Sequence, residues 1–257
     1  MRIFDRLLAE VPEDAQILDV SIGIFWTFVQ TQYGSCISAT AHRWQEDPPG
    51  ALIPWSGHLV GMNVHEVASL YDSASLTARS LANAAVSASF SQDAMTGTID
   101  YGDAQSLIAS KCGDRKRHIS LIGHFHFGEE LRAMGHHVDI FELEGRCGEG
   151  DIPNTLIPQR LRDAEIVMMT SSTLLTHATE EILRCSHPES YRMIVGPTVP
   201  VHPALWEFGF DAICGGRVVD PTSVSRGARE GGNHRQLKGC IKLNYLRPRD
   251  KNGENHG

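Results

Sequence analysis

The stretch "SLIGHFHFGEELRAMGHHVDIFEL", residues 120–143, decides the fold. It opens as a short apolar strand, breaks at Gly123, runs on as a helix from Gly128 to Met134, and returns to strand from His137 to Glu142. Two short apolar strands joined through a helix make a βαβ unit, whose strands lie parallel and are covered on both faces. Gly135 stands where a left-handed residue usually ends such a helix. A dinucleotide-binding loop needs its second glycine at the position of Phe125, whose ring fills the space a pyrophosphate would occupy. Glu142 follows Gly123 by 19 positions, close to the spacing of a ribose-binding acid. Without the glycines, however, a nicotinamide-dependent oxidoreductase ranks last among the readings.

The same rhythm continues downstream. Strands are expected at "EIVMMT" (165–170), "YRMIVG" (191–196) and "DAIC" (211–214), with a helix over about 173–183 and a short one over 203–208. Residues 113–257 therefore read as a Rossmann-like α/β domain, a parallel sheet with helices on both faces. Upstream the character changes. "ILDVSIGIFWTFVQTQYGSCISATA" (17–41) reads as two adjacent strands with a turn at 32–35, and an Ala-rich helix follows over 75–90. Its Leu76, Ser80, Ala84, Ser87 and Ser91 form a small-residue face that packs closely, within its own domain or across a homodimer. Strands followed by helices make residues 1–112 a smaller α+β domain. The polar, glycine-rich segment 225–239 reads as a mobile loop or lid before the last strand.

Composition narrows the function. The chain has 257 residues, 41% hydrophobic and 21% charged, with a net charge of −8. That balance excludes a broad nucleic-acid or anionic-membrane surface, both of which need clustered Lys and Arg. No run reaches the ~18 apolar residues that span a bilayer. The start, "MRIFDRLLAEVPED", reads as an amphipathic helix rather than a signal peptide, so a cytoplasmic location is expected. The six cysteines are scattered without the close pairs of structural zinc sites, and read as buried small apolar residues.

In an open parallel sheet, ligands bind beyond the carboxyl ends of the strands. Those ends carry Gly123, His124, Phe125 and His126; Thr170, Ser171, Ser172 and Thr173; and Gly196, Pro197 and Thr198, with Arg217 after the fifth strand. His124 and His126 are two apart and point the same way in an extended segment. With His177 and His202 they bring four imidazoles from three strand ends, donors that suit a transition metal. Ser171, Ser172 and Thr173 serve as an anion cradle at a helix start, as simple N-caps, or both. Asp220 before Pro221 caps or turns the chain, and Arg217 can contact an anionic ligand. His58, Asn63, His65 and Glu66 form a polar rim or a cap in the first half. No G-x-S-x-G elbow supports a nucleophilic serine.

Taken in order, "DVSIGIFWTFV", "SGHLVGMNVHEVASLYDSAS", "SLANAAVSA", "ISLIGHFHF", "VDIFELEG", "DAEIVMMTSSTLLTHATEEIL" and "IVGPTVPVHPALWEFGFDAICGGRVVDP" resemble the heavy-metal-chelation domain family across nearly the whole chain. The first half is similar to its companion domain, which resembles the enolase N-terminal domain. The resemblance implies a metal or metal complex held between the two domains, by loops matching Gly123–Phe125, Thr170–Thr173, Gly196–Thr198 and Gly215–Val219. The family pattern usually has proline at position 126, asparagine at 177 and a serine-like residue at 202, where this chain has histidine each time. The expected ligands are His124, His126, His177 and His202, and the expected cofactor is iron, nickel, copper, cobalt or zinc. The partner is then a small molecule or metal complex. The second reading is a metal-independent small-molecule enzyme with one histidine as general acid or base.

Overall fold

The computed structural model describes residues 1–41, 52–90 and 95–248. A short helix α1 (Ile3–Leu8) leads into an antiparallel meander of β1 (Ile17–Ile22), β2 (Trp26–Thr31) and β3 (Ser35–Ala39). Segment 17–41 thus holds three strands rather than the two its sequence suggests. The extra turn falls at Gly23-Ile24-Phe25, where one glycine between apolar residues gives little turn signal. Helices α2 (Val64–Ala68) and α3 (Leu76–Ala88) follow, capped by Asn63 and Ser75, whose side chains accept from the amides of His65 and Ala78.

The second half of the chain alternates strand and helix. In order come β4 (Thr98–Asp100), α4 (Ala104–Cys112), β5 (His118–Ile122), α5 (Gly128–Ala133), β6 (His137–Glu142), β7 (Ile152–Pro153) and α6 (Ile157–Arg160). Then come β8 (Ile166–Thr170), α7 (Thr179–Cys185), β9 (Tyr191–Val195), β10 (Ala212–Val218), α8 (Pro221–Arg229) and β11 (Cys240–Leu246). Among the described residues these strands build an eight-stranded sheet in the order β4-β11-β10-β9-β8-β5-β6-β7. It is parallel from β10 to β7, while β11 and β4 add antiparallel strands at one edge. The chain is therefore mixed α/β, as its rhythm predicts.

Strand alternation sends Ile119, Leu121, Ile140, Met168 and Met193 to one face, under α4 and α5. Ile122, Phe141, Val167, Met169 and Ile194 go to the other face, in a core continuous with the N-terminal helices. Burying each such side chain contributes about 1.5–3 kcal/mol. Helix α3 is buried almost all round: Thr77, Ala78 and every residue from Ser80 to Ala88 lie inside. Its small-residue face therefore packs within the chain, although Ser91 lies outside the described residues.

The segment expected to be a lid begins inside α8. Asp220 caps that helix by accepting from the Ser223 amide, and its Ser225 hydroxyl donates to Asp19 Oδ2 at 2.6 Å on β1. Val224 and Ala228 pack with Phe28 and Ile37 of the meander. The apolar positions of α8 are few and polar residues separate them, which hides the helix in the sequence. No helix is long and apolar enough to cross a membrane among the described residues.

Gly23 meets α8 so closely that a Cβ there would lie 1.8 Å from the Ala228 carbonyl oxygen. Gly23→Ala is expected to cost about 2–3 kcal/mol through backbone displacement, which for a chain of this size is a fall of roughly 5–10 °C in Tm. An unchanged melting temperature by calorimetry would contradict the tight docking of α8 on the meander.

Candidate functional site

Phe125 and Phe127 turn inward, their rings 5.7 Å apart, and pack with the core under α5. The alternation leaves His124 and His126 exposed. His124 Nδ1 lies 3.5 Å from Asp151 Oδ2, and His126 stands edge-on to Phe127 at 5.4 Å. Glu142, the acid at the dinucleotide spacing, accepts from its neighbour's amide, Leu143, at 2.7 Å.

The carboxyl ends of β5, β8 and β9 are in direct contact. Gly123, at φ 102°, presses on Thr170, where a Cβ would meet the threonine methyl at 2.9 Å. Gly196, at φ 135°, presses on Ser171, where a Cβ would come within 2.4 Å of the hydroxyl. The expected helix at 173 starts later, at Thr179, and a single 3-10 turn over Ser171–Thr173 takes its place. That turn is capped by Thr170 Oγ1, which accepts from the Ser172 amide. The Thr173 hydroxyl is consumed internally, donating to the Thr170 carbonyl at 2.8 Å. Ser171 and Thr173 are buried, so the hydroxyls left partly open are those of Thr170 and Ser172.

The N-terminal elements are hydrogen-bonded over these same loops. Asn83 on α3 donates to the Thr198 carbonyl at 2.8 Å, and the Ala39 amide of β3 donates to Thr198 Oγ1 at 2.9 Å. Tyr71 and Arg79 donate to the carbonyls of Leu174 and Leu175. Thr198 is thus a structural joint between the halves; Pro197 beside it is half-buried, and Arg217 lies on β10 opposite Ile241.

His177 and His202 have different environments. His177 is the one non-glycine residue at positive φ, 56°, among the described residues. Asparagine tolerates that backbone best after glycine, which accounts physically for the residue usual at this position in the resemblance. The His177 ring lies 4.7 Å from that of Tyr71, and Nε2 donates to the Tyr71 carbonyl at 3.1 Å, leaving the lone pair on Nδ1. Burial lowers its pKa, which keeps the ring neutral. His202 packs 4.4 Å from Phe90, and its Nδ1 accepts from the Ala204 amide at 3.2 Å. In that tautomer Nε2 carries the proton. Burial lowers the pKa of His202 as well. In the first half, His65 contacts the Val11 carbonyl at 3.2 Å and Asn63 is a helix cap, while His58 and Glu66 are exposed.

Ligand atoms of three or more His, Cys, Asp or Glu residues converge at one place among the described residues: His118, His137 and Asp139, all within 4.8 Å of one another. This group sits at the amino ends of β5 and β6, the opposite end of the sheet from the loops above. No motif marks it, because it joins two strands through their register. Nearby, an open cleft of about 590 Å³ is lined by Lys111, Arg117, Arg162, Glu165, His187 and Tyr191 among others. Of the six cysteines, Cys36, Cys112 and Cys214 are buried and the rest are half-buried. Burial pushes the Cys36 thiol up to about 12.

Two family profiles match the chain, both described as "Putative heavy-metal chelation", over residues 4–90 and 109–247. No curated protein matches it. Among solved structures, it is similar to a protein of unknown function from the DUF364 family of Desulfitobacterium hafniense, at 19% identity and a TM-score of 0.78. That match covers 95% of this chain and 97% of the other. It is similar too to a DUF364-family protein of unknown function from Pyrococcus horikoshii, at 19% identity and a TM-score of 0.74, covering 95% and 99%. Both likenesses concern the fold.

The buried imidazoles predict a pH dependence. Burial holds the pKa values of His136, His177 and His202 below the ordinary 6.5. Between the folded and unfolded values the unfolded chain binds more protons, so stability rises with pH there. Their contribution is complete above about pH 6.5 and is lost as pH falls below it. Denaturant titrations at pH 7.5 and 5.5 are expected to show the loss, with a smaller loss in His177→Asn. Equal pH slopes in the parent and that variant would contradict the assignment to His177.

Proposed function

The chain belongs to the heavy-metal-chelation family, and on that premise we propose that it binds a transition metal or a small metal-chelating molecule in the crevice between its halves. The crevice lies at the carboxyl ends of β5, β8 and β9. The observation that carries this reading is the contact of Gly123 with Thr170 and of Gly196 with Ser171, beneath loops bonded to α3 and β3. Missing side chains at both glycines let the strand ends pack on Thr170 and Ser171, which sets the half-buried Thr170 and Ser172 hydroxyls side by side at the loop surface. Such donors suit the carboxylate or phosphate oxygens of a chelator. His177 Nδ1 supplies a neutral nitrogen donor, and a strained backbone of this kind is commonly kept where it serves a site. His124 and His126, exposed on the neighbouring loop, complete the nitrogen donors on offer. The bound metal would supply Lewis acidity, and the chain's own groups would orient the molecule that carries it.

The second reading, a metal-independent enzyme, rests on the same His177. A neutral imidazole near a substrate is a general base at neutral pH. Chelator-insensitive turnover of a small anionic substrate would favour it.

The test is elemental analysis of untagged protein purified without chelator, with mass spectrometry of the denatured extract. Substoichiometric to stoichiometric iron, nickel, copper, cobalt or zinc together with a small acidic molecule is expected. Thr170→Val combined with Ser172→Ala should reduce retention of that molecule on the order of tenfold, the effect of ~1.4 kcal/mol of lost polar contact. A parent that carries no such molecule, and takes up no nickel citrate or iron citrate, would refute the crevice.

A further inference from the structure

We propose that His118, His137 and Asp139 form an exchangeable site for a bare divalent transition-metal ion at the amino ends of β5 and β6. It is separate from the crevice and does not depend on it.

The parallel register sets His118 directly beside His137. Their rings stack at 4.2 Å with an interplanar angle of 16°. Asp139 lies two residues further along β6 and so shares their face of the sheet. Its carboxylate spans both rings: Oδ2 is 3.2 Å from His118 Nε2 and Oδ1 is 3.6 Å from His137 Nε2. With metal–ligand bonds of ~2.0–2.1 Å, neighbouring ligand atoms on a tetrahedral ion stand about 3.3–3.4 Å apart. The two distances, each to its own carboxylate oxygen, lie on either side of that edge, so a small side-chain adjustment brings one oxygen and both rings to a common ion.

Proton accounting makes the case stronger. His118 Nδ1 lies 3.1 Å from the Asp163 carbonyl oxygen, a contact that requires an N–H on Nδ1. Nε2 of the same ring faces a carboxylate oxygen, which also requires a donor. A neutral imidazole has one N–H, so one of these contacts sets two acceptors against each other. A second proton on His118 or a cation at Nε2 removes the conflict. One divalent ion satisfies both Nε2 atoms and the carboxylate together. The Asp163 carbonyl then plays the part usual for the outer partner of a metal-bound histidine, holding the ring and its tautomer.

Two imidazoles and one carboxylate suit zinc, cobalt, nickel or ferrous iron rather than calcium or magnesium, which take mainly oxygen ligands. The side chains of His118 and Asp139 are 17% and 12% exposed, whereas that of His137 is 69% exposed. Two ligands are thus preset and the third closes from solvent. Water takes the remaining positions, so the ion exchanges.

The test is titration of metal-stripped full-length protein with Co(II), read by visible absorption, and with Zn(II), read by calorimetry. His137 is on the surface and Asp139→Asn keeps its shape, so His137→Ala and Asp139→Asn should fold. Circular dichroism of each variant checks this. The expected result is one equivalent of Co(II) at this site, with bands of low symmetry, and affinity of that equivalent lowered at least tenfold in either variant. Thr170→Val/Ser172→Ala should leave this binding intact, which separates the site from the crevice. A parent that binds neither ion, or folded variants that bind as tightly as the parent, would overturn the proposal.

Discussion

A helix enclosed on nearly every side has to be made mostly of small side chains, and α3 is that helix. Ala78, Ala82, Ala84, Ala85 and Ala88 are each fully buried, with Leu81 and Val86 the larger members. One side carries the meander of β2 and β3, and the other approaches the loops after β8 and β9. Asn83, 2% exposed, turns its amide to the Thr198 carbonyl. A buried amide without that partner would cost about 1–3 kcal/mol, so the contact specifies where the two halves meet. Larger residues along α3 would push the meander off the strand ends.

The rest of the chain reinforces the same docking. Helix α8, between β10 and β11, covers the meander, with Ser225 bonded to Asp19 and to Ser21. On the other flank, α1 contributes the Ile3 amide to Glu180 and Arg6 to Glu207. The exposed Arg6–Glu207 ion pair is weak; the apolar contacts beneath it supply most of the stability.

The two ends of the large sheet carry different chemistry. At the carboxyl ends, glycines let the loops bearing Thr170 and Ser171 pack together. At the amino ends, two imidazoles and a carboxylate converge, a set of acceptors for a cation. His177 and His202 resemble one another in sequence as possible ligands. Their hydrogen bonds differ: one ring donates and keeps its lone pair, and the other spends its lone pair on a cap.

Local pattern by itself determined the βαβ rhythm and offered caps at Asn63 and Asp220, which the structure uses. Each depends on residues within a few positions, where backbone geometry links sequence to structure directly. The third strand of the meander and helix α8 were hidden, because their turn and their apolar stripe are defined by what packs on them. Tertiary structure alone decided that α3 is buried almost all round and that His177 adopts a left-handed backbone under Tyr71. It also alone brought His118 beside His137 and Asp139. Those residues meet through hydrogen-bonded register between strands separated by a helix, and register comes from the packing of the whole sheet rather than from any spacing along the chain.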